Sequence, residues 1–173
     1  MNDDEEEPGL HWPLAGQQAA FAALVKEYQQ PLGGYLLHLL GEVGVATVLT
    51  EETFVCAHRE CVARQSGLAV RPWLYRTATR LACQQLPLTP RAVSTIGERA
   101  LVQSVVGDLQ MEERAVLLLC DFEQLPEDEA AAILGVSTAQ LRGRLERARA
   151  HFRLAYVEKD VVARSGLPFG GPA

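Results

Sequence analysis

Apolar residues recur at intervals of three and four from residue 16 to residue 157, and Val and Ile never build a run of period two. That spacing lines one face of a helix and cannot line one face of a strand, so the chain is predicted to be all-α. Phe21, Leu24, Val25, Tyr28, Leu32, Tyr35, Leu36, Leu39 and Leu40 form the first apolar stripe. Pro31 and the pair Gly33-Gly34 fall inside it, which predicts a kink or a break. Gly41 and Gly44 close the segment. A second helix is expected from about Ala46 to Arg64. A third runs from Trp73 to Leu86, with Pro72 in its first turn and Trp73 in the core.

Residues 87–97 (PLTPRAVSTIG) carry two Pro, a Gly and no period. They read as a short linker that tethers two small helical domains closely. The expected organisation is an acidic disordered tail at 1–15, a first domain at 16–86, a linker at 87–99, a second domain at 100–157, and a disordered tail at 158–173. In the second domain Leu101, Val102, Val105, Val106 and Leu109 share a face, and Met111 to Phe122 is a Leu-rich helix. A third helix opens at Pro126 with Glu127, Asp128 and Glu129 in its first turn, where negative charge is favoured. Gly135 ends it, and Ser137 is a natural N-cap for a fourth helix from Thr138 to about Tyr156.

Charge decides less by its sum than by its place. The chain carries 16 Lys+Arg against 22 Asp+Glu, a net −6, and no segment is globally basic. Any nucleic-acid-binding role must therefore rest on local placement of Arg. Between residues 100 and 157, eight of nine acids precede residue 130 and five of six bases follow residue 140. An apolar fraction of 48% excludes a disordered polyelectrolyte. No apolar run approaches the roughly 18–20 residues of a membrane helix. The N-terminus, with Asp3, Asp4, Glu5, Glu6 and Glu7, does not resemble a secretory signal, so the cytoplasm is the expected address and membrane insertion is not expected. The acidic run reads as a solvated tail, or more weakly as a cover for the basic helix.

The four Cys (Cys56, Cys61, Cys83, Cys120) form no CxxC pair and read as reduced, mostly buried thiols. Cys56 and Cys61 diverge by about 140° on one helix, which argues against a metal site with His58. No Gly-rich phosphate loop, nucleophile elbow or carboxylate pair stands out. Neither an enzyme nor a cofactor is expected.

Pro126–Phe152 has helix-turn-helix spacing: Ala130 and Ala131 on a short helix, Gly135 for the reversal, Val136 as a plug, then a capped helix. On that last helix Leu141, Leu145, Ala148 and Phe152 fall within about 60° of one another and should face inward. Arg142, Arg149 and Arg153 then lie on one flank and Arg144 and Arg147 on the other. Two basic flanks suit a helix held between phosphate walls, with Thr138, Gln140 and Arg142 approaching base edges. A four-helix bundle with a basic last helix is the plainer alternative.

LPEDEAAAILGVSTAQLRGRLERARAHFR resembles the C-terminal domain of the extracytoplasmic-function (ECF) sigma factors of the sigma-70 family. The preceding LQMEERAVLLLCDFEQLP is similar to that family's Leu-Pro-X-X-X-Arg helix, with Gln110 at the Pro position. FAALVKEYQQPL, ATVLTEETFVCAHR and RPWLYRTATRLA resemble its N-terminal domain in order and spacing. The match covers roughly residues 18–156.

The resemblance implies an alternative sigma factor that directs core RNA polymerase to specific promoters, with promoter DNA, the polymerase β′ clamp and β flap, and an anti-sigma factor as partners. It implies clamp binding through Thr47, Val48, Glu51, Glu52 and Phe54, and −10 element contacts through Arg64, Arg71, Tyr75, Arg76 and Arg80. The −35 element would be met by Ser137, Thr138, Gln140, Arg142, Arg144, Arg147, Arg149 and Arg153. The chain departs from the family's pattern at several positions. Where the family has Ala-Glu-Asp-Leu-X-Gln-Glu, this chain has Ala46 to Glu52 (ATVLTEE), and Arg80, Gln84 and Pro87 stand where the family carries Asn, Asp and Arg. Two other readings stay open: a degenerate sigma-like regulator that binds an anti-sigma factor or polymerase without opening promoters, and a stand-alone helix-turn-helix regulator.

Overall fold

The computed structural model describes residues 17–63, 70–85 and 98–165, all of them in helices or the short turns between them. Arg64, the loop at 65–69, the linker at 87–97 and the outer tails lie outside the described residues. The first half holds α1 (Gln17–Leu40), α2 (Val43–Ala63) and α3 (Val70–Gln84). The second holds α4 (Glu98–Asp108), α5 (Met111–Leu117), α6 (Glu127–Leu134) and α7 (Thr138–Ser165).

The expected break in the first apolar stripe does not occur: α1 runs unbroken through Pro31. Pro31 is exposed, while Leu32, Tyr35, Leu36 and Leu39 beside it are almost completely buried. A helical Pro costs about 3 kcal/mol, and burying four large side chains outweighs it at roughly 1.5–3 kcal/mol each. The helix stops at Gly41, whose φ of 75° suits glycine. α2 begins earlier than expected because Glu42 caps it: its carboxylate accepts from the N–H groups of Gly44 and Val45, each at 2.9 Å. The buried Thr50 and Thr53 return their hydroxyls to carbonyls four residues back, Ala46 and Leu49.

The expected helix from Met111 to Phe122 forms, but its last turn widens into a π turn over Leu118–Phe122. Glu123 N–H reaches Leu118 O at 2.9 Å and Leu125 N–H reaches Leu119 O at 3.0 Å, and Gln124 takes a positive φ of 53°. α7 runs to Ser165 instead of ending near Tyr156, so part of the expected tail is helical. Contacts at the start of that extension and on it explain it. Phe152 and Tyr156 stack at 6.0 Å, and Lys159 meets Asp108 at 2.6 Å and donates to Ser104 O at 3.0 Å. Among the free cysteines of the described residues, Cys56 and Cys120 are half-buried but Cys83 is exposed, against the expectation of mostly buried thiols. No described helix is long and apolar enough to cross a membrane.

The two halves share one apolar core, in which Leu39, Tyr75 and Ala78 join Val116, Leu119 and Ala130. α3 packs on α6, and α1 packs on α4 and α5. Arg114 crosses the junction from α5. Its guanidinium donates to the Leu39 carbonyl at the end of α1, and to Gly107 O at 2.6 Å and Leu109 O at 2.9 Å at the end of α4. Helix C-termini leave such carbonyls without partners and carry partial negative charge, so a buried cation there meets both needs. Burial pulls the Arg114 pKa down, with Asp108 opposing. Replacing Arg114 by Met keeps the apolar stem and strands three carbonyls. The expected cost is about 3 kcal/mol, read as a lower urea midpoint at an unchanged m-value. Lys, with a single compact ammonium, should recover less than half of it.

Candidate nucleic-acid interface

α6, a tight turn and α7 form a helix-turn-helix whose geometry follows from four residues. Gly135 adopts φ 65°, and a Cβ there would meet nothing within 4 Å, so backbone conformation and not space requires the glycine. Val136 N–H bonds Ala131 O at 3.0 Å and Gly135 N–H bonds Ala132 O at 3.3 Å, the paired closure of a Schellman turn. Val136 packs against the core as a plug. Ser137 then caps α7: its Oγ accepts from the Gln140 N–H at 3.2 Å, while Gln140 Oε1 accepts from the Ser137 N–H at 3.0 Å. This is a reciprocal capping box. Sequence reading found Ser137 as the cap and missed Gln140 as its partner, although the S-x-x-Q spacing carries that signal.

Leu141, Leu145 and Ala148 are buried and Phe152 is partly so, which turns the opposite side of α7 to solvent. Ser137, Thr138 and Gln140 are exposed at its start. The five arginines fall into two groups. Arg142 Nε lies 2.6 Å from Glu127, and Arg149 binds Asp121 through two bonds of 3.0 and 2.6 Å. Both stay accessible, with side chains 67% and 48% exposed. The bond to Asp121 raises the Arg149 pKa further. Arg144, Arg147 and Arg153 have no acidic partner within ion-pair distance among the described residues. One flank is thus partly neutralised by acids of α6 and the π turn, and the other keeps its charge.

In the first half, Arg76 and Arg80 are exposed on α3. With Arg144 they line a cleft of about 300 Å³ between the halves, shared with Glu112 and Cys83. Tyr75 does not reach the surface. It is 2% exposed, its ring lies 5.2 Å from that of Tyr35, and its hydroxyl donates to Glu123 at 2.6 Å. Burial and the Glu123 hydrogen bond push its pKa well above the usual phenol range. Arg71 donates to Glu123 O at 3.4 Å and lies 3.7 Å from Glu129, so it too is engaged between the halves. Arg64 lies outside the described residues.

A second feature is an apolar groove of about 550 Å³ between α1 and α2, lined by Phe21, Val25, Leu37, Val43, Thr47, Glu51 and Phe54 among others. Phe54 forms part of its buried wall. Val48 is 59% exposed nearby, and Glu52 is exposed but does not line the groove. The α1 contributors were not legible as groove residues, because helix periodicity marks them only as inward-facing.

The family model described as "Sigma-70, region 4" matches residues 99–152. The chain is similar to the RNA polymerase sigma-E factor of Streptomyces coelicolor, with 34% identity over 95 residues that cover 54% of this chain and 54% of that protein. It therefore spans about half the length of that relative. The probable RNA polymerase sigma-C factor of Mycobacterium bovis is 28% identical over 167 residues, 86% of this chain and 90% of that one. Among solved structures, CnrH in complex with the cytosolic domain of CnrY superposes with a TM-score of 0.72 at 27% identity, covering 84% of this chain and 92% of that chain.

The Arg142–Glu127 and Arg149–Asp121 pairs on α7 are solvent-accessible and should contribute little to stability. Asp121→Asn and Glu127→Gln are each expected to change unfolding free energy by less than about 1 kcal/mol. Each should nevertheless strengthen retention on a heparin column at low salt, by about threefold in affinity. The gain should vanish as salt screens the released arginine.

Proposed function

We propose that this chain, which belongs to the extracytoplasmic-function group of the sigma-70 family, is an alternative sigma factor that directs core RNA polymerase to specific promoters. The observation that carries this reading is the α6–turn–α7 unit, whose capped start and arginine flanks face solvent inside the segment matched by the region 4 model. α7 would enter the major groove of the −35 element. Ser137, Thr138, Gln140 and Arg142 would stand near base edges, and Arg144, Arg147, Arg149 and Arg153 near phosphates. The −10 element would meet Arg76 and Arg80 on α3, with Arg64, and with Arg71 and Tyr75 once their contacts to Glu123 and Glu129 are released. The α1–α2 groove, with Thr47, Glu51, Phe54 and the nearby Val48 and Glu52, would receive the β′ clamp, and the second domain the β flap.

In this role the polymerase performs the chemistry in the cytoplasm, and the chain supplies specificity and strand separation. It is not itself an enzyme. CnrH, whose fold this chain shares, was solved with the cytosolic domain of CnrY. That likeness supports a protein partner for this chain, and the family resemblance makes an anti-sigma factor the partner we propose. The division of labour proposed here assigns 16–86 and 100–157 as its two units with 87–99 between them, although α4 begins at Glu98, α7 runs to Ser165 and the two share one core.

Two observations favour a second reading. Tyr75 and Arg71, expected at the −10 element, are tied to the second half, and the family's acid at position 48 is Val48. A sigma-like regulator that binds its partners without opening promoters would tolerate both.

Run-off transcription with purified core polymerase and DNA from the region upstream of this chain's own coding sequence tests these readings. A discrete transcript that depends on the chain is expected. Core binding without transcript would favour the regulator. Tight sequence-specific binding by the free chain alone would favour a stand-alone helix-turn-helix protein. Arg142→Ala should relax −35 preference by roughly 1–3 kcal/mol. Arg153→Ala should weaken all promoters alike and flatten the salt dependence.

A further inference from the structure

The capping box at the start of α7 fixes which atoms Gln140 can offer to a nucleic acid. A backbone N–H can only donate, so the atom 3.0 Å from the Ser137 nitrogen must be an acceptor. The side-chain oxygen of Gln140 therefore faces Ser137, and its position 3.2 Å from Ser137 Oγ agrees. Ser137 Oγ accepts from the Gln140 N–H and has its own hydrogen left to donate to that same oxygen. Every group in the box then has its counterpart inside the box, with the exception of the Gln140 amide nitrogen. Its two hydrogens project from the exposed first turn of the helix.

We infer that Gln140 reads DNA as a donor only, and so selects a base that presents acceptors in the major groove, guanine first and thymine second. An unconstrained glutamine pairs bidentately with adenine, accepting from N6 and donating to N7. Here the acceptor is already engaged. Turning it toward adenine would strip the Ser137 N–H of its partner and undo the cap that sets the path of α7. Guanine asks for none of this, since O6 and N7 both accept. Thymine offers one acceptor, O4; adenine also offers one, N7, but beside an N6 donor that faces the donors of Gln140. Cytosine presents its N4 donor to the donors of Gln140 and is rejected. The box thus converts a residue type of broad base preference into one of narrow preference. This inference rests on the proposed role of α7 at the −35 element.

Gln140→Glu supplies the test, because a carboxylate keeps the acceptor that faces Ser137 and replaces the outward donor by an acceptor. Holoenzyme assembled from core polymerase and the full chain is used to select from promoter duplexes randomised across the −35 element. The wild-type chain is expected to prefer guanine over adenine by about tenfold at one position. Gln140→Glu should move that position to cytosine and leave the others unchanged. Adenine preferred at the position that responds to Gln140, or no response at any position, would overturn the inference. No selection by the wild-type holoenzyme would overturn the promoter reading beneath it. A measurement without DNA checks the box itself. Amide exchange at Ser137 should accelerate about tenfold in Gln140→Ala and stay unchanged in Gln140→Glu. Equal acceleration in both would overturn the inference.

Discussion

Arg114 closes the C-terminal ends of two helices from opposite halves of the chain with one guanidinium. Each carbonyl it meets would otherwise be a buried acceptor without a donor, which costs more than an ordinary hydrogen bond contributes. The arrangement of α1 against α4 and α5 depends on this cation, because no apolar side chain could satisfy those oxygens. A planar fork can divide its donors among carbonyls in several directions, which a lysine cannot. The apolar core then forms around a polar joint fixed in direction, and the orientation of the second half follows.

The π turn at Leu118–Phe122 extends the same logic to the surface. One widened turn places Asp121 against Arg149 and delivers Glu123 to Tyr75 and Arg71. It also brings Phe122 to within 5.9 Å of His38. A regular α-helical turn would have rotated these side chains to other directions. The widening thereby links the placement of α7 to the closure of α3. The pairing acids sit beside basic residues that face outward, which moderates the cationic surface of a chain with net charge −6.

Much of this was legible beforehand, for identifiable reasons. Leu141, Leu145 and Ala148 are inward because period 3.6 dictates it, and Gly135 and Ser137 bound the turn because each has a local conformational role. What escaped was tertiary. Pro31 reads as a break until the burial of Leu32, Tyr35, Leu36 and Leu39 is counted against it. The π turn has no sequence signature of its own. Tyr75 reads as a surface aromatic on an arginine-rich helix, and only Glu123, 48 positions away, draws its hydroxyl inward. Gln140 was the exception: its spacing from Ser137 was local and readable, and its appeal as a base reader hid its role as a cap.

The cleft shared by Arg76, Arg80 and Arg144 has a geometric consequence. Promoter elements named for positions −35 and −10 are separated by about 25 base pairs, hence roughly 85 Å of duplex at ~3.4 Å per step. Walls that face each other across one cleft of about 300 Å³ cannot address both ends of such a span. If α3 meets one element and α7 the other, as proposed, both the cleft and the apolar core shared by the halves must open. On that reading, a probe bridging the two walls would hold α3 and α7 too close together to address both elements.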